Sequence, residues 1–387
     1  MNTNRTQLWL IALLLSISPA TTQAQEFVER ITQFFEFPVG QRQDSSQFQN
    51  KMVLAPVAIY EPATSLGLGV GAKLLFKPRG VGEDTRTSNI PLSFTYTLRN
   101  QLIFYSGYTV FFNHEKYLLK GNLEFSKFPL TYFGIGNNTF EADSREIAYT
   151  NFLIEPLLLR QVSPGLFVGG GIRYNTYRGV KLNEAHNDLE EGTSLQDELG
   201  STSLGVELAV TVDKRDNVLN ASTGAFAEFT HGIYREDIGS THDFMLTKLD
   251  FRQYFQLWES RPDILAIQFY TRLAWEDTPA LELSALGGAE VMRGFQEGRF
   301  RDRYAFFTQA EYRWQALERI GFVFFAGAGE VGNELQNLSF SDLKYSVGTG
   351  FRLKIVKSEN LNIRFDYAYG LGTERDSNFY LGIAESF

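Results

Sequence analysis

The sequence predicts an all-β fold: a sixteen-stranded antiparallel transmembrane β-barrel with a long inward-folded sixth extracellular loop. Three observations predict it. From Met52 onward apolar and polar residues alternate with a period of two. Aromatic residues make up 14% of the chain, beside 34 glycines, which suits strands whose two faces meet different solvents. Beyond the first segment no run of 18 apolar residues occurs, so membrane helices are excluded.

Composition narrows the function classes. The 387 residues carry 36 basic and 45 acidic side chains, a net charge of −9. Nucleic acid is not an expected partner, because a nucleic-acid binder needs a basic surface to displace counterions. Cys is absent, which removes disulfides, thiol catalysis and zinc–thiolate sites. Four His and four Met argue against a transition-metal centre, and neither metal nor cofactor is expected.

Residues 1–24 read as a signal peptide. Arg5 supplies the positive start, Leu8 to Ile17 an apolar core, Pro19 a break, and Thr22-Gln23-Ala24 the small residues before cleavage. As a helix that core rises about 15 Å, half of a bilayer interior, so a membrane anchor is the poorer reading. Residues 25–51 form a short periplasmic N-terminal segment. Phe27, Val28, Ile31, Phe34 and Phe35 recur there at helical spacing before a Gln-rich linker. They suit either a short amphipathic turn or a helix packed against the barrel that follows.

The barrel domain spans 52–387. Ile90, Leu92, Phe94, Tyr96 and Leu98 alternate with Ser93, Thr95 and Thr97; Leu204 to Val212 and Tyr345 to Ile355 repeat the pattern. Expected strands are 52–60, 66–77, 89–99, 101–113, 116–127, 146–161, 165–178 and 202–214. The remaining eight are 224–235, 243–257, 264–276, 304–315, 321–331, 343–356, 361–371 and 378–387. Most are long enough to cross a membrane at a tilt. The long connections 128–145, 179–201, 277–303 and 332–342 are odd-numbered, while the even ones are mostly a few residues, though 78–88 is longer. Short turns on one side and long loops on the other are the habit of bacterial outer-membrane barrels. The expected location is therefore the bacterial outer membrane, with lipid and lipopolysaccharide as surroundings, and a monomer as the expected state. A secreted sandwich or propeller shares the period but not the strand lengths.

Three stretches of the C-terminal half resemble the BamA/TamA family of outer-membrane assembly barrels, the bacterial surface antigen family. Asp213, Arg215 and Asp216, followed by Gly224, look like its strand–turn–strand motif. Gly287-Gly288 followed by Arg293-Gly294-Phe295 resembles the motif of its sixth extracellular loop. Glu311, Phe325 and Gly329 match the barrel-wall partners of that loop. Pro62 to Gly67 and Gly134 to Asn137 also look familial. The resemblance covers 52–387 and implies insertion, assembly or translocation of proteins, or of lipid, with outer-membrane proteins as clients.

The loop is intelligible on physical grounds too. A connection of 27 residues stays loose unless tied down. Arg293 carries a rigid five-donor fork suited to carboxylates, and Gly294 lets the backbone approach the wall. Glu311 shares a face with Gln309 and Arg313, opposite Tyr312 and Trp314, and so points into the lumen. A solvated loop whose Arg293, Arg299, Arg301 and Arg303 meet lipopolysaccharide phosphates is the alternative. Two departures from the family stand out. Gly327 occupies the place of an Asp that also pairs with the loop Arg, leaving Glu311 alone or Glu330 as a substitute. Residues 25–51 are also too few for a POTRA domain, so a barrel-only member is expected.

Enzymatic chemistry is not expected. His114, His186, His231 and His242 accompany no nucleophile motif. The acidic loop with Glu184, Asp188, Glu190, Glu191, Asp197 and Glu198 lacks ordered Ca²⁺-ligand spacing, and Gly169-Gly170-Gly171 suits a crowded strand. A weak seam between first and last strands is expected instead: Pro56 cannot donate to a ladder, and Gly382, Glu385 and a terminal Phe387 mark the last strand. Such a seam could template client strands. A passive pore or structural surface barrel is the runner-up.

Overall fold

The computed structural model describes residues 36–38, 50–61, 65–79, 81–82, 85–98, 100–182, 195–338, 341–357, 360–372 and 375–387. The leader over 1–24, the Phe27–Phe35 spacing and most of the acidic loop lie outside the described residues.

The chain is almost entirely strand. In order come β1 (Glu36–Pro38), β2 (Lys51–Glu61), β3 (Ser65–Phe76), β4 (Ser88–Thr97), β5 (Leu102–Phe112) and β6 (Tyr117–Tyr132). Next are β7 (Arg145–Ile154), β8 (Leu157–Ser163), β9 (Leu166–Leu182), β10 (Ser201–Asp213), β11 (Gly224–Tyr234), β12 (Phe244–Trp258) and β13 (Arg261–Glu276). Then follow β14 (Ser284–Leu286), β15 (Phe300–Asp302), β16 (Tyr304–Gln315), β17 (Ile320–Gly332), β18 (Lys344–Val356), β19 (Leu361–Leu371) and β20 (Arg375–Ile383). Eighteen of these make one sheet, while β14 and β15 pair separately.

That sheet exceeds the expected sixteen strands for two local reasons. The strand expected at 146–161 is divided at Glu155-Pro156 into β7 and β8, which share β6 and β9 as partners. Proline withholds a ladder donor there. Gly171 lies opposite the break, where a Cβ would stand 1.8 Å from the Pro156 carbonyl oxygen, so no larger residue fits. The second addition is β1, a three-residue strand on β2.

All pairings are antiparallel, and β20 pairs back onto β2. Hydrogen bonding therefore runs round the sheet and returns to its start. Along the inner face lie charged groups; along the outer face lie apolar ones. In β19, Asn362, Arg364, Asp366 and Ala368 are buried, whereas Phe365, Tyr367, Tyr369 and Leu371 are exposed. An aqueous protein would reverse that polarity. Apolar-out, polar-in alternation is the signature of a barrel wall in lipid.

The last strand is a correction. It was expected at 378–387, but β20 ends at Ile383. Ala384 adopts φ +78°, and the chain turns inward. Phe387 is consequently buried beside Ala221, Tyr254 and Ala266 rather than at the edge of the wall. The turn between β10 and β11 also folds inward. Its Leu219 packs with Val53, Leu75, Ile355, Leu361 and Ala384, contributed by β2, β3, β18, β19 and the tail. One turn thus floors the barrel at the end expected to face the periplasm.

Candidate functional site: a loop that reaches the seam

The 277–303 connection is anchored at both flanks before its tip reaches the far wall. At one flank Glu282 receives Arg173 at 3.0 Å through both carboxylate oxygens, and Asn175 at 2.8 Å. Burial alone would raise the Glu282 carboxyl; the Arg173 guanidinium wins and holds it down to about 2. At the other flank Arg299 donates to the Thr139 carbonyl oxygen at 2.9 Å. Arg301 donates to the Leu281 carbonyl at 3.0 Å, while Gly136 N–H donates to the Arg301 carbonyl at 2.7 Å. Arg299 and Arg301 are buried. They do not face lipopolysaccharide; only Arg303 of this stretch is exposed.

At the tip, Arg293 is 1% exposed. One terminal nitrogen lies 2.6 Å from Glu311 of β16 and the other 2.7 Å from Asp366 of β19. Gln309 accepts a further bond at 3.3 Å, and the guanidinium carbon stands 3.6 Å above the centre of the Phe325 ring. Two carboxylates on separate strands and one aromatic face account for the fork's position.

Asp366 corrects an expectation. With Gly327 in the wall, Glu311 was expected to act alone or with Glu330. The second carboxylate is Asp366, on β19, three strands along the wall from Glu311 on β16. Gly327 has a different use, since a Cβ there would crowd the Phe307 ring at 2.9 Å.

Around this pair the charges alternate through the lumen. Arg313 binds Glu311 at 2.7 Å, and Arg352 binds Asp366 at 2.5 Å and Glu385 at 2.6 Å. Arg313 also donates to the Phe387 carbonyl oxygen at 2.9 Å. The inward tail is therefore gripped at Glu385 and Phe387 by the residues that hold the loop. Sequence parity placed Glu311 and Arg313 inside, but not the tail.

The residues after Arg293 meet the last strand. Gly294, at φ +110°, donates its N–H to the Tyr380 hydroxyl at 3.1 Å and accepts from Asn378 at 3.2 Å. A Cβ on Gly294 would fall 2.6 Å from the Tyr369 backbone carbon. Phe295 packs within a cluster of Leu286, Met292, Phe300, Ala305, Phe307 and Val331.

Tyr380 is a seam residue. Among the described residues, β2 and β20 pair at two positions, Ile59 with Tyr380 and Tyr60 with Phe379. The neighbouring β2–β3 ladder runs from Lys51 to Glu61. On its other edge β2 is joined by β1 at Lys51–Val53, and among the described residues no strand partner faces positions 54–58 on that edge. Pro56, which has no N–H, falls in that gap. Gly382 lies on β20 opposite Arg364 of β19, outside the two seam pairs. Phe387 is absent from the seam because the chain has already turned inward.

The strand–turn motif lies at the floor. Asp213 holds Arg215 through both oxygens at 2.9 Å and reaches Arg86 at 3.1 Å. Asp216 accepts from the Ser222 and Thr223 N–H groups at 2.9 and 3.1 Å, closing the turn before Gly224 at φ +96°. Among the described residues there is no group of three His, Cys, Asp or Glu placed to hold a metal.

This architecture defines a membrane β-barrel whose long loop crosses the lumen to the closing strand. The family model of the Omp85 superfamily domain matches residues 68–387, and the chain belongs to that superfamily of outer-membrane barrels. Its fold is similar to that of BamA from Haemophilus ducreyi lacking POTRA domains 1–3. That match has a TM-score of 0.54 and 14% identity, covering 95% of this chain and 78% of the other. CdiB from Acinetobacter baumannii is similar at a TM-score of 0.57 and 12% identity, covering 90% of this chain and 64% of that one. A search of curated protein sequences finds no match.

Proposed function

We propose that this barrel assists the insertion, assembly or translocation of polypeptide at the outer membrane by opening between β2 and β20. The observation that carries this is the two-position seam. Every strand pair in a barrel must be satisfied internally, because lipid offers no hydrogen bonds. A junction with so few paired positions among the described residues separates at the lowest cost and leaves an edge that a client strand can join. Membership of the Omp85 superfamily supports the reading. Arg293, Gly294, Phe295 and Glu311 act in it as a brace: the loop fixes β20 through Tyr380 and Asn378, while β2, held along its length by β3, meets β20 at two positions. Asp213, Arg215, Asp216 and Gly224 shape the floor.

The test is reconstitution. Vesicles containing the barrel should accelerate folding of an unfolded outer-membrane barrel client over empty vesicles. A disulfide joining Tyr60→Cys to Phe379→Cys should abolish the acceleration, and reduction should restore it. Acceleration that survives the disulfide contradicts the opening seam.

A further inference from the structure

Most charges in the lumen are matched. Around a luminal chamber of about 440 Å³, Glu228 is held by Lys120 and Lys248, Asp250 by Arg252, Asp213 by Arg215 and Arg86, and Glu385 by Arg352. Lys73 is an unmatched cation. It lines the same chamber from β3, is 6% exposed, and has no hydrogen-bond or ion-pair partner among the described residues. Taking an ammonium out of water without an anion is costly, so a wall position that retains one is unexplained by stability.

A second cation approaches from the other side. Arg364 of β19 is buried and passes under β20 at Gly382, where a Cβ would lie 3.1 Å from its Nε. One terminal nitrogen, Nη1, makes no hydrogen bond and is 3.7 Å from Asp366, a carboxylate already engaged by Arg293 and Arg352. Across the seam the walls are close: a Cβ at Gly71 would touch Val57 of β2 and Ile383 of β20. Lys73 and Arg364 thus flank the junction from β3 and β19, on the luminal side.

We propose that Lys73 and Arg364 form an anion-binding site behind the seam that takes a carboxylate of an entering polypeptide. An ammonium on one side and the unbonded Nη1 of a guanidinium on the other offer donors to the two oxygens of a carboxylate. The edge of β2 at 54–58, which no described strand other than β3 joins, is where the polypeptide would lie. A strand added there sends alternate side chains into the lumen. Leu54 to Ala58 stand opposite Ala72 to Leu68 of β3, the stretch next to Lys73, so an added strand runs two strand spacings from β3, about 10 Å. An acidic side chain or a chain-terminal carboxylate supplies the same chemistry. Glu290, which lines the chamber and forms no ion pair within 4 Å among the described residues, is the resident competitor.

The inference rests on the polypeptide-handling function above, yet the two fail separately. Seam opening is read by the disulfide; the anion site is read by calorimetry on the unlocked full-length barrel in detergent. Three amphipathic nine-residue peptides serve as probes: one amidated with a single central Asp, one with Asn there and a free C-terminal carboxylate, one with Asn and an amide. At least one carboxylate peptide should bind about tenfold more tightly than the neutral one, as a charge-assisted hydrogen bond warrants. The tighter of the two identifies the source. Lys73→Met should erase the difference, Lys73→Arg should retain it, and Glu290→Gln should enlarge it. Three peptides that bind alike to the unsubstituted barrel overturn the site whatever the variants do. Equal competition by inorganic phosphate overturns its assignment to polypeptide.

Discussion

The Gly294 N–H donates to the Tyr380 hydroxyl at 3.1 Å, and Tyr380 is one of the two β20 residues paired with β2. The loop that crosses the lumen is thereby bonded to the strand that closes the barrel. Position along the chain separates them by 86 residues. Four consequences can be measured.

Removing the fork should release the brace. Arg293→Ala leaves Glu311 only Arg313 and takes one arginine from Asp366, which keeps Arg352, in a buried site; breaking a buried pair outright costs about 3–5 kcal/mol, so the loss here lies at or below that range. The expected outcome is a lower temperature for the heat-modifiable gel shift, together with protease cleavage in 277–303. Arg293→Lys should recover only part of the loss, because an ammonium cannot span both carboxylates as the fork does. An unchanged gel shift in the Ala variant contradicts the brace.

Gly294→Ala tests the close approach alone. The added carbon meets the Tyr369–Gly370 backbone, and the left-handed φ is unfavourable for alanine. Backbone strain of this kind costs on the order of 1–3 kcal/mol. The variant should resemble Arg293→Ala in loop protection while keeping the buried charges paired.

Tyr380→Phe deletes one hydroxyl. Leaving a buried N–H without its partner costs about 1–3 kcal/mol. Thermal unfolding in detergent should shift down, and a Tyr60→Cys, Phe379→Cys pair in the same background should oxidise more slowly because β20 is less firmly held. Cross-linking at the original rate argues against the contact.

Acid should loosen the loop's first flank. In the folded chain Glu282 titrates at about 2, below its ordinary value of 4.5. A depressed carboxyl contributes its full stability above the unfolded value and loses it as pH falls from about 4.5 toward 2. The thermal midpoint should therefore decline across that window. Glu282→Gln should start from a lower midpoint at neutral pH and flatten the decline.

Much of this architecture was legible along the chain. Alternation in Ile90–Leu98 and Tyr345–Ile355 marks strands because lipid and lumen select opposite side chains. The parity that placed Glu311 beside Gln309 and Arg313 is local, and so is the Arg293-Gly294-Phe295 signal. Asp366 was not legible as the partner of Arg293, since the pairing depends on the register of β16 through β19 and on the path of the loop. Nor was the inward turn at Ala384, whose φ of +78° no residue choice announces. The floor did leave a trace. Val218 and Leu219 are apolar residues inside a turn that is otherwise charged and polar, and Leu219 packs against the first strand and the tail. The two seam pairs join residues more than 300 positions apart and stop at Tyr380 although β20 runs on to Ile383, so no local pattern announces them.

The central claim is that the junction of β2 and β20 opens. Single-channel recording of the purified barrel in a planar bilayer, with the Tyr60→Cys, Phe379→Cys pair oxidised and then reduced, tests it most directly. The account predicts a small, flickering conductance in the reduced state that becomes quiet on oxidation. A steady conductance indifferent to the cross-link would make the chain a channel that only shares the superfamily's wall.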